Sequence, residues 1–175
     1  MEETQTYKPS PVNHAMLFGI ELGIWFGLNF IISAMAQGRM WMGVLSWLVT
    51  FYILYGVYRS ALHYKHTECE DKIRFGQSLS YIMWLFFFAS IVGALVKVIY
   101  LKWINPDVLT LFYEQSVQSI RLFQLSDVEA ELVQSSLQTI MQPVRFCLYY
   151  IMYDLIMGLF VGLILSPFVC KNRKS

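Results

Sequence analysis

Two carboxylates stand where carboxylates are costly. Glu21 lies in "FGIELGIWFG" and Asp154 in "YYIMYDLIMGLF", both inside runs otherwise apolar enough to cross a membrane. An ionisable group at membrane depth faces a helix bundle or a watery cavity, and it is a functional candidate by default. Asp154 falls about ten residues from the start of its run, roughly 15 Å deep at helical rise. Asn29 and Thr50 lie at similar depth in two other runs. Lys97 closes a third run, and a lysine stem snorkels its charge outward. Without a cation beside it, a buried carboxyl prefers its neutral form and can donate a hydrogen bond. The expectation is therefore a protonated Asp154 bonded to Asn29 or Thr50, with Lys97 as the less favoured partner. Glu21, some six residues into its run, is expected to face an inner cavity or the headgroups.

"HYKHTEC" raises a second possibility, because His63, His66 and Cys69 are three apart. On a helix this spacing gathers ligands on one face, and such a set suits zinc. No second ligand cluster completes four ligands, and Lys65, Lys72 and Arg74 give the stretch the character of a cationic membrane-surface loop. No metal is expected there. No nucleophile with a base and an orienting group appears, and no carboxylate pair at defined spacing. Catalytic residues and cofactors are therefore not assigned.

These residues need elements to hold them. Only 14% of the chain is charged, against about 25% in soluble domains, which argues for a membrane protein. With net charge +1 there is no nucleic-acid footprint. The three cysteines form no CxxC and suggest no disulfide framework. A span needs roughly 20 apolar residues, and four stretches qualify, about 15–36, 40–58, 75–97 and 144–168. The expected fold is all-α, a four-helix membrane bundle in a single domain over 1–175. The "AMAQ" pattern at Ala34 to Gln37 resembles a cleavage site, but the apolar region before it is too long for a signal peptide and its leader carries Glu2 and Glu3.

Lysine and arginine set the orientation. Lys8, Arg59, Lys65, Lys72, Arg74, Lys171, Arg173 and Lys174 share one side, and Arg39, Lys102 and Arg121 the other. Both termini and the loop about 59–74 are thus expected in the cytoplasm of a bacterial inner membrane. The outer side carries about 105–142. Asn105, Pro106 and Asp107 read as a helix start, and Ser126 and Glu129 have capping-box spacing. An amphipathic helical hairpin in the periplasm follows. Its stripe of Val128, Leu132, Val133, Leu137 and Ile140 should rest on the bundle or the membrane interface.

Small residues mark the packing faces, since helices in lipid associate through close contact. Gly19, Gly23 and Gly27 recur every four residues, as do Gly158, Gly162 and Ser166. Asp154 shares the latter face, so it should point at another helix. Lys97 shares a face with Ser90, Gly93 and Ala94.

Several longer motifs, "YGVYRSALHY" closing the second span, "IRFGQSLSYIMWLF" opening the third and "YLKWINPDVLTLFYE" entering the outer helices, resemble the domain of unknown function 4199 family, small inner-membrane proteins of Bacteroidota. The similarity runs from about Gly19 to Pro167. Its best markers are Tyr58–Arg59, Ile73 with Phe75–Gly76, and an acid before a glycine in the last span, here Asp154 and Gly158. "HYKHTECEDK" replaces the family's Gly-rich loop after the second span. The resemblance implies topology and no activity. It also implies a membrane-associated glycosyltransferase as neighbour, hence an accessory role in envelope glycan or lipid assembly.

The leading reading is a non-enzymatic accessory or scaffold subunit, partnered by the lipid bilayer and by another membrane protein or by copies of itself. The alternative is a small oligomeric proton-coupled transporter using Asp154 and Glu21, and a membrane enzyme ranks third. The charge bias carries its own test. Reporter fusions after Lys72 and after Ser175 should read cytoplasmic and one near Ser126 periplasmic. A periplasmic signal from the C-terminal fusion would overturn the four-span reading.

Overall fold

The computed structural model describes residues 11–36, 39–69, 72–122 and 127–171. Among these all regular structure is helical. The long helices are α1 (Pro11–Met35), α2 (Met40–Glu68), α3 (Phe75–Ile99) and α6 (Pro143–Cys170). Two shorter ones, α4 (Asp107–Leu122) and α5 (Asp127–Ile140), form the hairpin between α3 and α6. The four long helices are each long and apolar enough to cross a membrane. Apolar side chains all round a helix give it no polar face to turn to water, and lipid is the solvent that tolerates this. Local signals mark where they begin. Pro143 stands at the first turn of α6, where its missing N–H costs nothing. The Gln77 side chain caps the backbone N–H of Arg74 at 3.0 Å before α3. The Ser126–Glu129 capping box lies outside the described residues.

α3 is the middle of the bundle. Its most extensive contacts are with α1 on one side and α6 on the other, while α2 leans on α1 and meets α6 only lightly. The glycine stripes make this possible. A Cβ built on Gly23 would lie 2.5 Å from Val92 Cβ and 2.7 Å from the Ala89 carbonyl oxygen, so the α1 and α3 backbones touch there. At Gly158 it would lie 2.6 Å from Phe86 Cγ, which seats α6 on the other face of α3. Gly19, Gly23, Gly27, Gly158, Gly162 and Ser166 are all buried, as the four-residue spacing requires.

Two apolar clusters fill the bundle. One, toward the end that holds the N-terminus of α1 and the C-terminus of α6, centres on Val57, Tyr81, Ile82, Leu85 and Val169. We refer to this as the termini end. The other, toward the hairpin end, gathers Phe30, Tyr100, Leu101, Val108 and Phe146. It forms because α3 does not stop at Ile99. A π-helical turn, Tyr100–Ile104, continues it, with the Asn105 N–H donating to the Tyr100 carbonyl at 2.9 Å. This turn buries Tyr100 and Leu101, and Val108 and Leu109 of α4 then dock on them. α5 is held less tightly, with Leu132 and Val133 of its apolar stripe exposed.

Two sequence expectations need correction here. The stretch 59–74 is not a loop from its start, because α2 runs on to Glu68. Leu62 and Tyr64 keep its face apolar and packed on the core, so nothing ends the helix at Tyr58. Lys65 is not a surface-loop cation either. It is 5% exposed, and its ammonium donates to the Val169 carbonyl at 2.9 Å. A cation there caps orphan carbonyls at the C-terminus of α6 and meets the negative end of its dipole.

The glycine contacts predict an asymmetric mutational response. Gly23→Ala should lower stability in detergent by about 1–3 kcal/mol through overpacking. Gly43→Ala, where nothing lies within 4 Å of the new Cβ, should leave stability equal or slightly raised by helix propensity. Thermal unfolding of the two proteins side by side checks this. Equal melting temperatures would remove the close-approach argument.

Candidate functional site

The feature with chemical potential is the ion pair in the middle of the hairpin half. Lys97 Nζ on α3 donates to Asp154 Oδ2 on α6 at 3.3 Å. Lys97 is 3% exposed and Asp154 14%. The ammonium also sits over the Tyr150 ring, 4.2 Å from its centroid, and faces Phe30 at 5.8 Å. Aromatic faces stabilise a desolvated cation by about 2 kcal/mol or more.

This corrects the expected partner of Asp154. Asn29 and Thr50 are engaged with each other. Asn29 Nδ2 donates to Thr50 Oγ1 at 3.2 Å, and Ser46 donates to Asn29 Oδ1 at 2.9 Å. Ser33 and Ser46 hydroxyls meet at 2.7 Å. The result is a polar ladder that ties α1 to α2. Lys97 turns inward for a geometric reason. Side chains lean toward the N-terminus of their own helix. α3 and α6 run antiparallel, so Lys97 leans into the bundle and Asp154 leans toward the hairpin end. The two meet. Snorkelling would require Lys97 to bend against that lean.

Around the pair lies a cavity of about 450 Å³. Asn29 and Ser33 of α1, Thr50 of α2, Gln115 of α4 and Tyr153 of α6 contribute its remaining polar lining, with Phe26, Phe30, Phe86 and Phe112 as apolar walls. Glu21 lies elsewhere. It lines a second cavity, of about 340 Å³, between α1 and α2 at the termini end, with Arg59, Ser60 and His63. No residue lines both cavities. Buried Leu22 and Leu85 wall the one, and buried Ile53 and Phe86 the other.

The histidine pattern resolves differently from its spacing. His63 Nδ1 lies 3.0 Å from His14 Nε2 on α1. The other nitrogen of His14 meets the Tyr81 hydroxyl at 2.8 Å, and Tyr81 meets Ser60 Oγ at 2.6 Å. Tyr64 stacks on Tyr81 with ring centroids 4.3 Å apart. Four groups from three helices thus form one hydrogen-bonded chain, with the buried Tyr81 at its centre. Among the described residues, no three His, Cys, Asp or Glu side chains gather closely enough to hold a metal ion. His14 and Tyr81 escaped the sequence reading because nothing in linear spacing joins positions 14, 63 and 81.

The ion pair makes a sharp prediction. Asp154→Asn leaves a buried ammonium without its counter-charge and should cost about 3–5 kcal/mol of stability. Lys97→Met should cost a similar amount by stranding the carboxylate. The double variant Lys97→Met/Asp154→Leu should return close to the parent, because a buried pair replaced by apolar groups is near neutral. Thermal unfolding in one detergent compares all four. A fully stable Asp154→Asn protein would show that the pair contributes nothing.

No curated protein and no solved structure matches the chain. The family model described as "Protein of unknown function (DUF4199)" matches residues 13–171. That match takes in α1 from Asn13 onward, the other three long helices, both cavities and the ion pair. The resemblance read from the motifs around Tyr58, Ile73 and Tyr100 therefore holds over nearly the whole length, and the chain belongs to the DUF4199 family of proteins of unknown function.

Proposed function

We propose that this protein is a non-enzymatic accessory subunit of the bacterial inner membrane, with both termini in the cytoplasm and the α4–α5 hairpin in the periplasm. Its role is to support a larger envelope assembly concerned with glycan or lipid. One observation carries the choice over a proton-coupled transporter. The two membrane-embedded acids line separate cavities that share no residue and are each walled by buried apolar side chains. A proton path using both needs a polar connection, and Leu22, Ile53, Leu85 and Phe86 offer none. Asp154 is moreover held by Lys97 at 3.3 Å, which suits a fixed structural pair.

The outer surface supports an assembly role. α2 buries little of its length within the chain. Trp41, Trp47, Leu48 and Phe51 stand exposed along it. Lipid alone satisfies such a face, and so does the helix of another membrane protein. The exposed Leu132 and Val133 of α5 add a second apolar surface outside the spans.

Crosslinking in native membranes followed by affinity capture tests the proposal. A reproducible heterologous membrane protein is expected, with capture reduced by Trp47→Ala. Recovery of a homo-oligomer alone would overturn it. Complementation of a deletion strain by Glu21→Gln provides the second arm. The accessory reading expects full complementation, whereas a folded but inactive Glu21→Gln protein would favour the transporter.

A further inference from the structure

We infer that the cavity between α2 and α6 is a binding site for the uncharged, hydroxyl-bearing head of a membrane amphiphile. At the termini end α2 and α6 are drawn together where Lys65 donates to the Val169 carbonyl. Toward the hairpin end they separate, and α1 and α3 form the floor of the gap. Phe112 and Gln115 of α4 line it at the hairpin end. On the flank of the bundle its rim is formed by Leu54 of α2 with Tyr153 and Met157 of α6. Tyr153 is 56% exposed and Met157 39%. A ligand entering across this exposed rim comes laterally from lipid, so it carries a hydrocarbon chain.

The lining decides the head. Acyl chains alone leave the remaining hydrogen-bonding capacity of the cavity unmet, which is costly at membrane depth. Lys97 carries three N–H donors and spends one on Asp154. Asp154 takes that bond on Oδ2, leaving acceptor capacity on its carboxylate. Tyr153 and Gln115 add a hydroxyl and an amide to the same cavity. Donors and acceptors therefore mix around a centre whose net charge is zero. A phosphate or ammonium head would bring an uncompensated charge into the bundle. A hydroxyl both donates and accepts, so it can bridge the ammonium, the carboxylate and the amide in turn. The volume, about 450 Å³, lies within the ordinary range for small-molecule sites. The mixture of aromatic walls with a few convergent polar groups is equally typical of them.

This inference stands apart from the accessory role, since a subunit with or without a protein partner can hold a lipid. Its test uses the whole protein in nanodiscs and two photoactivatable probes with the same diazirine-bearing chain. One is a monoacylglycerol, with a neutral two-hydroxyl head. The other is the matching lysophosphatidate, with an anionic head. Adducts are mapped by peptide mass spectrometry. The neutral probe should label the α2 and α6 segments that carry Leu54 and Met157, about tenfold more than the anionic one. Met157→Trp should plug the mouth and abolish that labelling. Met152→Trp, also on α6 but outside the cavity lining, should not. Melting temperatures of both variants, expected to match the parent, show that folding is intact. Equal labelling by the two heads would overturn the inference. So would labelling that survives Met157→Trp, or crosslinking from position 157 in native membranes to a protein helix in place of a lipid.

Discussion

The backbones of α1 and α3 touch, and most of what is distinctive in this protein follows from that contact. At Gly23 the nearest atoms across the interface leave no room for a methyl group. Lipid offers no hydrophobic drive for helices to associate, so dispersion between closely approaching backbones must supply it. Glycine is the residue that lets the backbones come that near. With α6 seated the same way at Gly158, α3 is held between two neighbours. Lys97 is buried as a consequence of where α3 sits.

A cation fixed there needs a counter-charge. The antiparallel course of α3 and α6 supplies it, because side chains on the two helices lean toward each other. Tyr150 and Phe30 then close over the ammonium. The attraction is strong at low dielectric, yet the desolvation of both groups offsets much of it. The pair is therefore better understood as fixing the register of α3 against α6 than as a large source of stability. A one-turn slip would leave two charges in apolar surroundings.

α2 is the exception to the tight packing. It is tied to α1 by the Asn29–Thr50–Ser46 ladder near one end. At the other it is tied by the chain from His63 through His14 to Tyr81, together with the Lys65 cap on α6. Between these polar ties Ile53 and Val57 reach into the core, and both cavities border the helix. Polar contacts fix direction and spacing where small-residue packing is missing. A helix held this way leaves room beside it, which is where binding sites in helical bundles form.

The sequence by itself determined the membrane character, the helical class, the four long apolar helices and the hairpin between the third and fourth. Each of these rests on local composition and period, which need no knowledge of neighbours. The glycine faces were equally legible, since a four-residue repeat maps directly to one side of a helix. The family was legible in motifs spread along the chain. Tertiary structure decided which polar groups meet. Asp154 takes Lys97 and not Asn29, because helix direction sets the lean of each side chain and depth along the sequence does not. His63 joins His14 and Tyr81 because α1, α2 and α3 converge at the termini end, though no spacing links those positions. Lys65 caps α6 because α2 runs past the expected end of its span. Each of these outcomes depends on the relative placement of helices distant in the chain, which a single sequence specifies only through the packed bundle it forms.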